Sequence, residues 1–192
     1  IIENISRADS NLDKLIEEIT LEMPVADNTI FLFVDGMSRT IASLLDSTFN
    51  HLGLLSNYIG GGAGSLSFKP THCVITAKGL LMDAAVLAFA DMGSGVGVAH
   101  GWHPVSEPMK ITSSKYNSVV SLDWKPAFEV YREIIANVLH KDSLDITFEA
   151  YAKSFPLGIV KMADELLVRD PVSCSDNEMI CLGELPQNSF VY

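Results

Sequence analysis

The sequence predicts an α+β fold, a mixed and largely antiparallel sheet with flanking helices, organised as two pseudo-sub-domains. Three observations lead there. Residues 29–34 (Thr-Ile-Phe-Leu-Phe-Val) are β-rich and apolar on both faces, the pattern of a central strand. Short β-rich runs are separated by turn signals at Lys78-Gly79 and Gly93-Ser94-Gly95, as in an antiparallel meander. Apolar stripes with helical spacing flank these runs, at Leu12, Leu15, Ile16 and Ile19, at Ile41, Leu44, Leu45 and Phe49, and at Phe128, Tyr131, Ile135 and Leu139.

Each element has a local cause. Ser10 or Asn11 supplies the cap of the first helix, expected over residues 14–21. After the strand at 29–34, Asp35-Gly36 turns the chain and Ser38 caps the second helix. Asn57-Tyr58-Ile59 is a short strand running into Gly60-Gly61-Gly62-Ala63-Gly64. Strands follow at 72–76, 84–89, 95–99, 110–112 and 118–122. Pro126 suits the first turn of the next helix, and residues 144–155 form another, stopped by Pro156 and Gly158. Further strands are expected at 166–168, 179–182 and 190–192. The last ends on Phe190-Val191-Tyr192, which predicts an unfinished sheet whose exposed edge invites pairing and a homo-oligomer.

Composition narrows the function classes. The chain of 192 residues carries 13 Lys and Arg against 24 Asp and Glu, a net charge of −11. Nucleic acids and anionic membrane surfaces are held mainly by Lys and Arg, so neither is an expected partner. No apolar run approaches the ~20 residues of a membrane-spanning helix. Cys73, Cys174 and Cys181 are odd in number and widely spaced, unlike a disulfide framework or a zinc site, and point to small buried side chains in a reducing cytoplasm.

Several residues stand out as candidates for a binding site. Gly61, Gly62 and Gly64 belong to a run that lets backbone approach a ligand, although no Lys and Ser/Thr follow as a phosphate-binding loop requires. In Ala99-His100-Gly101-Trp102-His103-Pro104, the glycine, tryptophan and proline argue for a turn rather than a metal-binding helix, and Trp102 offers a flat apolar wall with one N–H donor. Arg169, in Val168-Arg169-Asp170-Pro171, is a forked donor that either takes a carboxylate or clamps the local structure. No GxSxG, HExxH or paired-carboxylate pattern indicates catalysis, so an enzyme is the weaker class, and no metal site is expected.

These segments, with Leu122-Asp123-Trp124-Lys125-Pro126-Ala127-Phe128-Glu129-Val130-Tyr131, occur in an order that resembles the FIST domain, a sensory module of bacterial signal-transduction proteins. The resemblance implies that residues 1–120 correspond to the later part of its first sub-domain and 121–192 to the start of its second, with family sequence missing at both ends. It also implies a cytoplasmic sensor of an amino-acid-like or other small metabolite, signalling to a histidine kinase, a cyclic-dinucleotide enzyme or a chemoreceptor module. Gly61, Gly62, Gly64, His100, Trp102 and Arg169 are the contacts it implies. Some relatives hold haem and sense nitric oxide, which is the alternative; the CxxCH attachment motif is absent here, and no cofactor is expected. Two positions depart from the family pattern. Ser65 stands where an acid often follows the glycines, and Trp124 stands where glycine usually precedes Lys-Pro-Ala.

Overall fold

Residues 28–35 form the strand around which the first half of the chain is built. The structure is a computed structural model that describes residues 1–6, 14, 17–18, 21, 28–53, 56–67, 69–161 and 165–192. It divides into two compact units, Ile1–His100 and Gly101–Tyr192. The boundary falls twenty residues before the sub-domain boundary expected from sequence. The expected first helix lies largely outside the described residues; Lys14, Glu17 and Glu18, which are within them, are helical.

In the first unit, β1 (Ile2–Glu3), β2 (Asn28–Asp35), β3 (Ser56–Ala63) and β6 (Ala84–Ala90) make a mixed sheet in the order β1-β6-β2-β3. β2 and β3 are parallel and joined by helix α1 (Ile41–Leu52), whereas β6 runs antiparallel to β2. A parallel pair needs such a crossover, and the stripe of α1 provides it with a buried face at Leu44. Leu32, Val34, Leu44 and Ala85 pack with Ile2 and Ile5 as the core. On the opposite face of β2, Thr29 and Asp35 are buried while Phe33 is 50% exposed. A small hairpin, β4 (Val74–Thr76) with β5 (Gly79–Leu81), completes the unit.

Two acids tie its loops together. Asp35, 2% exposed at the end of β2, accepts hydrogen bonds from the backbone N–H groups of Met37 and Asp83. Asp83 in turn accepts from the Ser6 N–H and hydroxyl and from the Ser38 hydroxyl. Ser38 therefore does not cap α1 as expected. The cap position is Thr40, which makes no side-chain cap bond, because its hydroxyl donates to the Ile5 carbonyl. The strand expected at 95–99 is also absent. Residues 93–108 are irregular, since Gly93, Gly95 and Gly97 weaken β structure and the stretch has no strand alongside.

The second unit is an antiparallel sheet of β7 (Met109–Lys115), β8 (Ser118–Leu122), β9 (Lys125–Pro126), β10 (Leu157–Val160), β11 (Leu166–Arg169), β12 (Pro171–Ser175), β13 (Glu178–Cys181) and β14 (Phe190–Val191). The strand order is β11-β10-β14-β7-β8-β13-β12, with β9 beside β8. The two end strands are consecutive in the chain, separated by Asp170 alone, so one bent stretch of chain forms both ends of the order. β14 lies between β10 and β7, with Val191 paired to both Ile159 and Met109. The exposed edge expected at 190–192 is absent, and with it the reason for edge-to-edge association. Helix α2 (Ala127–Leu139) lays Tyr131, Ile135 and Ala136 into the core with Ile111, Val119, Leu122, Leu157 and Met179. The helix expected over 144–155 is instead a 3-10 turn (Ser143–Asp145) and a short helix α3 (Phe148–Tyr151). Ile146, extended between them and 2% exposed, is drawn into the core and breaks the helical path.

The tertiary setting accounts for Trp124. Leu122 pairs with Lys125, leaving Asp123-Trp124 as a two-residue hairpin turn with φ of 45° and 68°, the type I′ pattern that favours glycine at its second position. The Trp124 N–H donates to the Thr112 hydroxyl, and Asp123 Oδ1 accepts from the Lys110 N–H. These bonds to β7 hold a strained backbone in place, and the indole points outward, 85% exposed. Trp124→Gly is expected to keep the fold and raise stability by about 0.5–1 kcal/mol, the left-handed strain relieved less the entropy that glycine adds to the unfolded chain. Urea unfolding followed by circular dichroism checks the sign; a destabilised variant would show that the indole contributes packing.

Candidate functional site

A cavity of about 180 Å³ lies wholly within the second unit. The helical periodicity of α2 sets Tyr131, Ile134 and Ile135 on one wall, and strand alternation sets Leu166 and Val168 of β11 on another. Leu157 and Gly158 of β10 form the floor between them, and the irregular segment 102–106 forms the rim. A Cβ at Gly158 would lie 3.4 Å from the Leu166 side chain, so the glycine keeps that part of the void open.

The cavity is electrically neutral. Its lining contains no Asp, Glu, Lys or Arg; His103 stands exposed at the rim, and the other titratable groups are Tyr131 and Tyr192. Tyr131 donates its hydroxyl to the Phe155 carbonyl at 2.8 Å, and burial pushes its phenol well above the ordinary range. It is a fixed wall rather than a proton donor. Ser106 contributes a hydroxyl oxygen that is buried and has no hydrogen-bond partner. Such a group costs about 1–3 kcal/mol when left unpaired.

The residues singled out from sequence fall in different places. Gly61, Gly62 and Gly64 belong to the first unit, as does His100, which is exposed in the irregular stretch. Gly60, Gly61 and Gly62 lie within β3 rather than in a loop after it, paired with Leu32, Phe33 and Val34. Their roles divide. A Cβ at Gly60 would come within 1.9 Å of the Leu32 carbonyl oxygen, and one at Gly62 within 3.1 Å of Gly36 Cα, whereas Gly61 and Gly64 face open space. Trp102 and Arg169 belong to the second unit. Trp102 lines the cavity, 44% exposed, together with His103.

Arg169 follows Val168 on β11 and so projects to the face away from the cavity. Its guanidinium donates to the carbonyls of Val168 and Glu184, each at 3.2 Å, and burial draws its pKa below the ordinary value. Gly183, with φ of 82°, makes room: a Cβ there would stand 2.9 Å from Arg169 Nε. Of its two sequence readings, this geometry is that of the clamp. The lining residues Ser106, Ile134, Leu157 and Gly158 escaped sequence reasoning. The spacing of Tyr131, Ile134 and Ile135 was a visible signal, but it marks a buried face without telling packed from void.

Among the described residues, no group of three or more His, Cys, Asp or Glu side chains could hold a metal ion, and no helix is long and apolar enough to cross a membrane. The sequence relationships of the chain define its class. The FIST N domain family matches residues 1–125 of the chain. The chain belongs to the FIST family, a family of sensory signal-transduction domains. That match extends past the end of the first compact unit and includes the rim of the cavity. No curated protein and no solved structure matches the chain significantly.

The clashes at the glycines and the burial of Cys181 each generate a prediction. Gly60→Ala is expected to unfold the first unit or cost it several kcal/mol, because the obstructing atom is backbone, while Gly61→Ala stays within about 0.5 kcal/mol of the parent. Circular dichroism melts of the two variants check this contrast.

At alkaline pH the buried thiol matters. Burial pushes Cys181 up to about 12. Above pH ~9 the unfolded thiol releases its proton while the folded one keeps it, so stability falls with rising pH, by up to about 1.4 kcal/mol per unit for each such group. Tyr131 adds a loss of the same sign at higher pH. Both tryptophans, Trp102 and Trp124, lie in the second unit, so urea unfolding read by their fluorescence between pH 8 and 11 reports on it. Stability should fall across that range, and less steeply in Cys181→Ala; equal slopes would place the proton loss elsewhere.

Proposed function

We propose that this chain is the ligand-binding portion of a bacterial, cytoplasmic sensor, and that the cavity of the second unit receives the small molecule it senses. The observation that carries this reading is the cavity itself, a largely apolar void with Trp102 at its rim and one unsatisfied hydroxyl, in a chain of a sensory family. Concave apolar sites with a few placed polar groups are the usual form of small-molecule pockets. The ligand enters past residues 102–105, and Trp102 covers it. Ordering of that irregular segment on binding is the change passed to an output module, a histidine kinase, a cyclic-dinucleotide enzyme or a chemoreceptor.

In this reading Arg169 holds the wall of the cavity in place from behind rather than touching the ligand. Gly61 and Gly64, with open space above them, and His100 are candidates for a second contact surface in the first unit. Haem does not fit the cavity: a void of about 180 Å³ has room for roughly one ring, and a porphyrin has four pyrrole rings around its iron.

The test uses the placement of the tryptophans. In Trp124→Phe, Trp102 is the remaining tryptophan, so its fluorescence reports the rim of the cavity alone. A screen of small metabolites against this variant should yield a molecule that changes the emission saturably. At a hundred times its dissociation constant the same molecule should raise the melting temperature by about 5–10 °C, from about 2.7 kcal/mol of binding to the folded state. Binders that raise the melting temperature while leaving Trp102 unchanged would place the sensory site outside this cavity.

A further inference from the structure

The chemistry of the cavity narrows the ligand further than the family does, given that the cavity is the ligand site proposed for this sensor. Size comes first. A dry cavity of about 150 Å³ suffices to bind benzene, so a void of about 180 Å³ admits one six-membered ring with one or two further heavy atoms. Charge comes second. With no acidic or basic side chain in the lining apart from His103 at the exposed rim, a carboxylate or ammonium group seated inside would be stripped of water without a partner. Free amino acids and organic acids are therefore poor occupants. Polarity comes third. Of the side-chain hydroxyls in the lining, that of Tyr131 is committed to the Phe155 carbonyl, Ser154 is exposed and Tyr192 is half-buried, while that of Ser106 is buried without a hydrogen-bond partner.

We infer that the cavity binds a neutral, single-ring molecule of the phenol class. Its ring lies against Ile134, Leu166 and Val168 beneath Trp102, and its one polar group exchanges a hydrogen bond with Ser106, which turns its hydroxyl inward about the Cα–Cβ bond. This separates recognition into an apolar part common to any ring of that size and a polar part owed to one side chain.

The experiment measures binding of p-cresol, toluene, benzoate and L-phenylalanine to the full chain by calorimetry and by Trp102 fluorescence in Trp124→Phe. The expected result is that p-cresol binds about tenfold more tightly than toluene, the worth of one hydrogen bond to a buried hydroxyl. Ser106→Ala should weaken p-cresol by about that factor and toluene less than about twofold. Benzoate and phenylalanine should not compete with p-cresol. Ile134→Phe, which fills the void from the helix side, should abolish binding of both rings; Gly158→Ala, whose added methyl narrows the floor at ordinary contact distance from Leu166, serves if that variant does not fold.

Each contrary outcome overturns a distinct part. An unchanged p-cresol to toluene ratio in Ser106→Ala removes the polar contact from the proposal. Competition by benzoate or phenylalanine, lost in the filled variants, overturns the neutral class while leaving the cavity as the sensor site. If none of the four probes binds, or binding survives both filling variants, the cavity reading itself is overturned.

Discussion

The second unit depends on one stretch of backbone that serves both ends of its sheet. Residues 166–169 pair with β10, residues 171–175 pair with β13, and the chain passes from one to the other through Asp170. The two end strands of the sheet are thus one bent stretch of chain, β11 pairing with β10 and β12 with β13. The bend has its own fastenings. The Asp170 carbonyl accepts from the Leu182 N–H at 2.8 Å, and the Arg169 guanidinium reaches across to the Glu184 carbonyl over the bare backbone of Gly183. A shorter side chain than Arg could not span that distance, and a larger residue than Gly could not lie under it. The cavity follows from the same geometry. β11 presents Leu166 and Val168 to it, and α2 presents Tyr131, Ile134 and Ile135.

In the first unit the equivalent organising device is polar. Asp35 and Asp83 sit in the turns at the end of β2 and before β6, and their carboxylates gather N–H and O–H donors from residues 6, 37, 38 and 83. Ser6 itself accepts from the Arg39 N–H, so the chain after β1 is bound to the start of α1 through one serine. The Cys73 thiol lies against Asp35 and is pushed up, by burial first and by that carboxylate second, which keeps it protonated beside its acceptor. Short polar side chains thus satisfy the turn backbone of this unit.

The two units use different means toward one requirement, that irregular backbone near a functional surface be held by something other than strand pairing. A sensory domain needs a segment whose order can change, and such segments have few buried contacts. In the irregular stretch from 93 to 108, Val98 and Trp102 are largely or partly exposed, while Ser94 near its start and Ser106 near its end are half-buried. It is anchored on one side by β6 and on the other by β7, both central to their sheets.

Much of the fold was legible in the residues. Helical periodicity located α1 and α2, because it records which face of an element is buried, and β-rich apolar runs bounded by turn signals located β2 and β6. The net charge and scattered basic residues set nucleic acids and anionic membranes aside, since electrostatic attraction to phosphate requires clustered cations. Motif order pointed to the FIST family, and the replacement of glycine by Trp124 marked a turn of positive φ. Other features were decided by tertiary structure. Gly60 is obligatory because of the Leu32 carbonyl, an atom twenty-eight residues away that only strand pairing brings near. Phe190 and Val191 lost their expected free edge because β10 and β7, distant in sequence, close on both sides of them. Arg169, open to two roles in the sequence, donates to the Val168 and Glu184 carbonyls because β11 alternates and sets its side chain on the face opposite Val168. The cavity and the unpaired Ser106 hydroxyl had no signature at all. A sequence specifies how much apolar surface each element must hide, but a void is the difference between surfaces that meet, and that difference exists only once they are packed.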